Sequence, residues 1–381
     1  MRQTLRLGRV AGIPVGVNWS VFVILVLIAD IVAGTILPRA DSGRSAGLYW
    51  AVAIPTAILF LASLLAHEAA HAVVARRKGV GVRSITLWML GGVAQLDGEP
   101  PSARADFAIA AAGPLTSLAA GGILVLTAEA AGSVGVPIVI VAALAWTGVT
   151  NAFLAVFNLL PGAPLDGGRI LRALVWMRSG DRAQADRAAT GSGQVVGAAL
   201  AGAGMAQLVI LGQTGGLWLI LIGWFLIWAA GMEARSRIIR QAAAGVQVRD
   251  VMVREPDCAA AWRPVGEFIG TVAVRSRQSI FPVIGLDGDP LGVVTLDRLS
   301  RLPAARTGDR VDSVALPLTG AHMAGPDDPA SSLLDQAPLA GALLAVVVAS
   351  GRVIGMVTAD DIGRLVQQSM LREKATPSRA D

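Results

Sequence analysis

Between Ala51 and Val74 the chain runs through Ala, Val, Ile and Leu almost without interruption, yet His67, Glu68 and His71 stand inside that run. A stretch of roughly 25 such residues is long enough to cross a bilayer as a helix. In hydrocarbon every backbone polar group must be satisfied within the segment, so a helix is the conformation left open to it. Ionisable side chains at that depth are expensive and are retained for function. Whatever this chain folds into has to be a membrane architecture that supplies partners for these three side chains.

The composition agrees. Hydrophobic residues make up 54% of the 381 and charged residues 15%, and the mean hydropathy is +0.61, far from the balance of a water-soluble domain. The net charge of +5 comes from arginines beside apolar segments, the pattern of cytoplasmic loops and not of a nucleic-acid footprint, so no nucleic-acid partner is expected. Cys258 is the single cysteine, which excludes an intrachain disulfide and a cysteine-based metal site.

Six spans are predicted: Trp19–Leu37, Leu48–Arg76, Ala105–Ala130, Val136–Leu160, Thr190–Leu211 and Gly216–Ala230. The first follows Arg2, Arg6 and Arg9 without a small-residue cleavage site, which reads as a retained anchor. Residues 1–18, with Gly8, Gly12, Pro14 and Gly16, read as a turn-rich extended segment. Alternation over Ser84–Trp88 within Gly79–Pro101 predicts a short strand or hairpin at membrane level. Residues 169–188 carry five arginines and two aspartates and read as a cytoplasmic loop. Arginine and lysine counts put 1–9, 76–83, 169–187 and 235–240 on the cytoplasmic side, so both termini face the cytoplasm of a plasma-membrane protein. Beyond Arg240 the composition is that of a soluble α/β domain. Two apolar runs, Ile280–Thr295 and Leu343–Thr358, resemble one another at a spacing of about 60 residues and signal an internal repeat. The boundaries read are 1–240 for the membrane domain and 241–381 for the tail, with repeats at about 246–305 and 309–371.

H-E-x-x-H is a zinc hydrolase pattern. A helix places residues four apart on one face, so His67 and His71 can share one metal ion while Glu68 acts on water as general base. A catalytic zinc site keeps three protein ligands and an open position. His322, the remaining histidine, lies in the tail, so the third ligand is expected to be a carboxylate. Asp166 is the strongest candidate because Pro161 and Pro164 force the chain open beside it, whereas Asp97, Glu99 and Asp106 read as ordinary polar-loop residues. At about 1.5 Å per residue, His71 and His67 lie roughly 8 Å and 14 Å from Arg76, a short way below the cytoplasmic surface. Asn151 and Asn158 are candidate donors to a substrate backbone, against the plainer reading that asparagines in spans bond neighbouring helices. Gly91-Gly92 and Gly113-Pro114 read equally as close-packing points.

Taken together, H-E-A-A-H in a span, G-G-V-A after it, A-G-P in the next and F-N-L-L-P-G-A-P-L-D-G-G-R later resemble the site-2 protease family of intramembrane zinc metalloproteases, in its branch with C-terminal tandem CBS domains. The resemblance implies a six-helix α-helical polytopic domain with a short membrane-associated β segment, followed by a cytoplasmic α/β CBS pair. It implies one Zn2+ per chain bound by residues matching His67, His71 and Asp166, with Glu68 as base. The substrate would be a membrane-anchored regulator cut in or near its transmembrane helix. The Gly91-Gly92 strand would receive that substrate in extended form. Ser117 departs from the family's A-G-P-x-x-N pattern. The tail, beginning at Val248-Arg249-Asp250-Val251-Met252, resembles CBS modules that sense adenine nucleotides. Thr358 and Asp361 fit their ribose-binding pattern, whereas in the first repeat Arg298 stands where Thr295 would have its aspartate. CBS pairs also associate, which implies a homodimer. Two other readings are a metal-responsive transporter with CBS regulation and an inactive membrane scaffold. A transporter would show paired broken spans, and a scaffold would lack catalytic positions that are filled here.

Overall fold

A computed structural model describes residues 4–89, 91–335 and 337–375; the two chain ends assigned to the cytoplasm above, 1–3 and 376–381, lie outside them. Two compact units divide at Glu233 and Ala234.

The first unit is built on helices that exclude water by composition. Among the described residues, six are long and apolar enough to cross a membrane: α1 (Val21–Ala40), α2 (Ala46–Arg77), α3 (Ala103–Ser133), α4 (Ile138–Asn158), α6 (Arg182–Val209) and α7 (Gly216–Ala243), with the shorter α5 (Asp166–Ser179) between α4 and α6. This is the six-helix polytopic class expected from the sequence. The helices start where side chains accept from their first free N–H groups: Ser45 from Leu48 on α2, Ser102 from Ala105 on α3, and Asp181 from Ala183 and Gln184 on α6.

One expectation is corrected. Residues 169–188 are not a loop but the body of α5 and the first turns of α6. Charge count misled there because Arg172 is buried and spends its charge on a carboxylate instead of on water.

Four strands form a sheet in the order β1 (Leu5–Val10), β2 (Ile13–Val17), β3 (Gly81–Trp88) and β4 (Gly91–Asp97). β3 and β4 are the antiparallel hairpin that the alternation forecast, and β2 lies parallel to β3. The extended N-terminal segment thus pairs with β3 along one side, which satisfies a row of backbone groups that would be costly unpaired at membrane level. Ile13 and Val15 of β2 and Ile85 of β3 pack on Ala69 and Ala72 of α2. That apolar seam seats the sheet on the helix that carries the histidines.

The second unit contains two four-stranded sheets. One has the order β6 (Ala259–Ala260), β7 (Ile280–Ile284), β8 (Pro290–Thr295), β9 (Leu316–Pro317). The other has the order β10 (Met323–Ala324), β11 (Leu343–Ala349), β12 (Arg352–Thr358), β5 (Val253–Arg254). Each apolar run of the sequence is a hairpin, β7–β8 or β11–β12, flanked by a parallel partner and followed by a helix, α8 (Leu296–Ser300) or α9 (Ala359–Ala375). The strand leading into each repeat joins the other repeat's sheet, β5 pairing with β12 and β9 with β8. The repeats are therefore interlocked. Phe268 and Phe281 meet edge to face, 5.2 Å between centroids, in the core of the first repeat.

Candidate metal centre

His67 and His71 sit one turn apart on α2, 3% and 5% exposed. Asp166 opens α5 directly after the proline-interrupted stretch 159–165. Its Oδ2 lies 3.2 Å from His67 Nε2 and 3.2 Å from His71 Nε2, and the two Nε2 atoms are 3.2 Å apart. Among the described residues this trio is the one group of His, Cys, Asp and Glu that could hold a metal ion.

The donor chemistry fits a cation. His71 Nδ1 is 2.7 Å from the carbonyl oxygen of Ile109; a carbonyl only accepts, so Nδ1 carries the proton and Nε2 of the neutral ring presents a lone pair. His67 Nδ1 is 2.9 Å from Ser117 Oγ. Bonds of about 2.0–2.2 Å at tetrahedral angles hold ligand atoms about 3.3 Å apart, close to the spacing seen. With Ser117 Oγ accepting from Nδ1 of His67 in the same way, three electron-pair donors at that spacing suit a positive centre between them.

The space for one is provided by a glycine. A Cβ built on Gly113 of α3 would overlap His71 Nε2 and stand 2.5 Å from His67 Nε2, so a side chain there would fill the place that the donors surround. Pro114 follows and removes one rung of α3's hydrogen-bond ladder in the same turn. Asp166, His67 and His71 are the residues able to hold the ion; the ring nitrogens facing away from it are held by α3 through Ile109 and Ser117. Second partners of this kind fix ring orientation and tautomer.

Glu68 is half-buried and lines, with both histidines and Asp166, a cavity of about 500 Å³. Gly92 of β4 faces it so closely that a Cβ there would overlap Glu68 Cγ and lie 2.7 Å from Cδ. Gly91, Gly92, Trp88, Asn158 and Arg169 line the same cavity. Sequence reasoning thus has Glu68, His67, His71, Asp166, Asn158, Gly91 and Gly92 in one place. Asn151 is elsewhere: it is fully buried on α4, donates from Nδ2 to the Thr147 carbonyl, and does not line the cavity.

Ser117, Ile109, Gly113 and Arg169 were missed as contributors. Ser117 and the Gly113-Pro114 pair had been noted only as a departure from a pattern and a packing point, and a backbone carbonyl leaves no mark in a sequence. Asp106 needs correction, since it is no loop residue: it lies in the first turn of α3, is fully buried and binds Arg172.

In the tail, Thr358 N and Oγ1 both donate to Asp361 Oδ2, at 2.9 and 2.7 Å, so the pair caps α9. Thr295 caps α8 by accepting from Arg298 N, and Arg298 Nε donates to the Val314 carbonyl. A cavity of about 580 Å³ opens beside Thr295, Arg298 and Arg301; Thr358 and Asp361 are not among its lining residues.

Comparison with known proteins agrees with the geometry. Residues 55–137 and 127–202 match the description Peptidase family M50, a region that contains all three donor residues. Rip3 of Mycobacterium tuberculosis, named as a zinc metalloprotease, is 44% identical over 96% of this chain and 93% of its own length. The solved site-2 protease from Methanocaldococcus jannaschii is 28% identical, covers 60% of this chain and 94% of that one, and superposes with a TM-score of 0.40. The CBS domain of a bacterial CNNM/CorC family Mg2+ transporter, solved with ATP, is 21% identical over 36% of this chain and 97% of its own, at a TM-score of 0.30. On the identity and reach of the Rip3 match, the chain belongs to peptidase family M50, the site-2 protease family of multi-pass membrane zinc metalloproteases.

Proposed function

We propose that this protein binds one Zn2+ per chain through His67, His71 and Asp166 and uses Glu68 to cleave a peptide bond in or beside the transmembrane helix of a membrane-anchored regulator, the step known as regulated intramembrane proteolysis. The observation that carries the reading is the convergence of three donor atoms, each 3.2 Å from the others, next to a glycine that leaves their centre open. When bound, zinc supplies a Lewis acid that polarises a carbonyl and acidifies water.

The remaining chemistry belongs to the chain. Glu68 takes the proton from the attacking water and passes it to the leaving amine. Its reach is set by Gly92, whose bare α-carbon supports the side chain. Asn158 lines the cavity and donates to the substrate backbone. β4 is the outer strand of its sheet, so an unwound substrate segment adds to it by main-chain hydrogen bonds, a mode in which backbone groups give affinity and side-chain pockets give selectivity. The requirement for extended backbone explains why a substrate helix has to open before it is cut.

The protein sits in the plasma membrane with both termini cytoplasmic, and residues 1–240 form the protease domain. Residues 241–381 form a tandem CBS module that modulates proteolysis, binds an adenine nucleotide with Thr358 and Asp361 contributing, and pairs chains into a homodimer. The interlocked twin sheets of the tail support that assignment.

Co-expression with an epitope-tagged single-span regulator tests the proteolytic reading. Glu68→Gln is expected to retain zinc and stop cleavage, and His67→Ala to lose both. Undiminished cleavage by both variants refutes it.

A further inference from the structure

Arg172 of α5 is buried, and its guanidinium grips Asp106 of α3 with two hydrogen bonds, Nε to Oδ2 at 2.8 Å and Nη2 to Oδ1 at 2.6 Å. The planar fork of arginine matched to a carboxylate fixes orientation as well as distance. Arg172 also reaches Asp186 of α6 at 3.6 Å, and Arg169, one turn nearer the metal centre, reaches Asp106 at 3.6 Å. Two arginines on one face of α5 are thus tied to a single carboxylate on α3.

Surface ion pairs contribute little, and a buried pair is a poor way to gain stability because desolvation consumes the attraction. What a bidentate buried pair does supply is geometry. Asp166 is the first residue of α5, and the chain before it is opened by Pro161 and Pro164, so α4 gives it no continuous helical support. α3, by contrast, already fixes both histidines, through Ile109 and Ser117. Asp106 lies three residues before Ile109, on the same helix. The pair therefore references α5 to the helix that orients the other two ligands.

We propose that Asp106 and Arg172 are positioning residues that hold Asp166 in register with His67 and His71, and so set the affinity of the site for zinc. This rests on the metal-centre reading above. Neither residue touches the reacting atoms. Removing a partner bonded directly to a ligand costs about 10–100-fold in metal affinity or activity, and that range is the ceiling for a pair that acts through the helix carrying Asp166.

The test is zinc affinity of the full-length protein in detergent, measured by chelator competition with zinc alone as probe, alongside helicity and thermal unfolding without metal. Asp166→Asn serves as the control on the metal centre: if wild type binds no zinc, or D166N binds it as tightly, the metal-centre reading itself falls. With that control satisfied, Arg172→Lys keeps the charge but loses the fork, and is expected to fold and bind zinc about tenfold more weakly. The double substitution D106N with R172M removes both charges of the buried pair together; their second partners, Asp186 and Arg169, keep side chains 14% and 25% exposed. It is expected to unfold near the wild-type temperature while binding zinc 10–100-fold more weakly. Wild-type zinc affinity in either folded variant overturns the proposal, and so does loss of the fold in the double variant, which would assign the pair to stability and not to positioning.

Discussion

Gly113→Ala is a one-carbon perturbation that strikes the donor triangle and not the helix that carries it. The new methyl carbon would overlap His71 Nε2 and lie 2.5 Å from His67 Nε2. A zinc ion bound by those nitrogens stands about 2.0–2.1 Å from each, so methyl and ion claim the same volume. Relief requires both rings to turn, but His71 is tied to the Ile109 carbonyl at 2.7 Å and His67 to Ser117 Oγ at 2.9 Å. Turning them sacrifices two hydrogen bonds of about 1 kcal/mol each and dismantles the donor triangle. Zinc affinity should therefore fall at least ~30-fold, the equivalent of about 2 kcal/mol. For α3 itself, alanine in place of glycine within a helix is worth about 0.5–1 kcal/mol in the stabilising direction. The assay is chelator-competition titration of wild type and G113A in detergent, paired with thermal unfolding of the metal-free proteins. A G113A protein that keeps its melting temperature and binds zinc as tightly as wild type would refute the placement of the ion beside Gly113.

Three other expectations follow from particular contacts. Gly92→Ala displaces Glu68 rather than the donors, so zinc content should stay at the wild-type level while the cleavage rate of a tagged single-span substrate falls at least tenfold; equal loss of zinc would contradict this division of roles. Burial, reinforced by the neighbouring Asp257 carboxylate, pushes the Cys258 thiol up to about 11 from the usual thiol range near 8.5. Because the thiolate is the nucleophile, iodoacetamide should label the folded protein far more slowly than the denatured one at pH 8.5, with the folded rate still climbing towards pH 11; a plateau near pH 8.5 would contradict it. Asp361 accepts two hydrogen bonds from Thr358, so Asp361→Ala should remove a helix cap worth about 1 kcal/mol and weaken ATP binding by the full-length chain in calorimetry; an unaltered ATP isotherm would take Asp361 out of the nucleotide site.

How much of this was legible in the sequence depends on whether the deciding contact is local. His67, Glu68 and His71 were legible because helical spacing is short-range and because ionisable groups stand out in an apolar run. Asp166 was legible because Pro161 and Pro164 break the chain just before it. The β3–β4 hairpin announced itself by alternation. The pairing of β2 with β3 joins strands more than sixty residues apart, and nothing in the turn-rich first segment specifies a partner. The same holds for Ile109 and Ser117, which reach the histidines from 38 and 50 residues away. The arginines of 169–187 were misread for a physical reason: a charge count cannot separate a solvated guanidinium from one paired inside the protein, and Arg172 belongs to the second kind. Asn151, a polar residue in a span, turned out to serve its own helix, bonding Thr147 one turn back.

One ion bound where α2, α3 and α5 meet would be visible by zinc-edge X-ray absorption on the purified full-length protein. The expected spectrum is that of one zinc per chain with two imidazole nitrogens and a carboxylate oxygen at about 2.0–2.2 Å, a signature lost in H67A, H71A and D166N. A protein that holds no zinc, or that keeps the wild-type spectrum after Asp166→Asn, would contradict it.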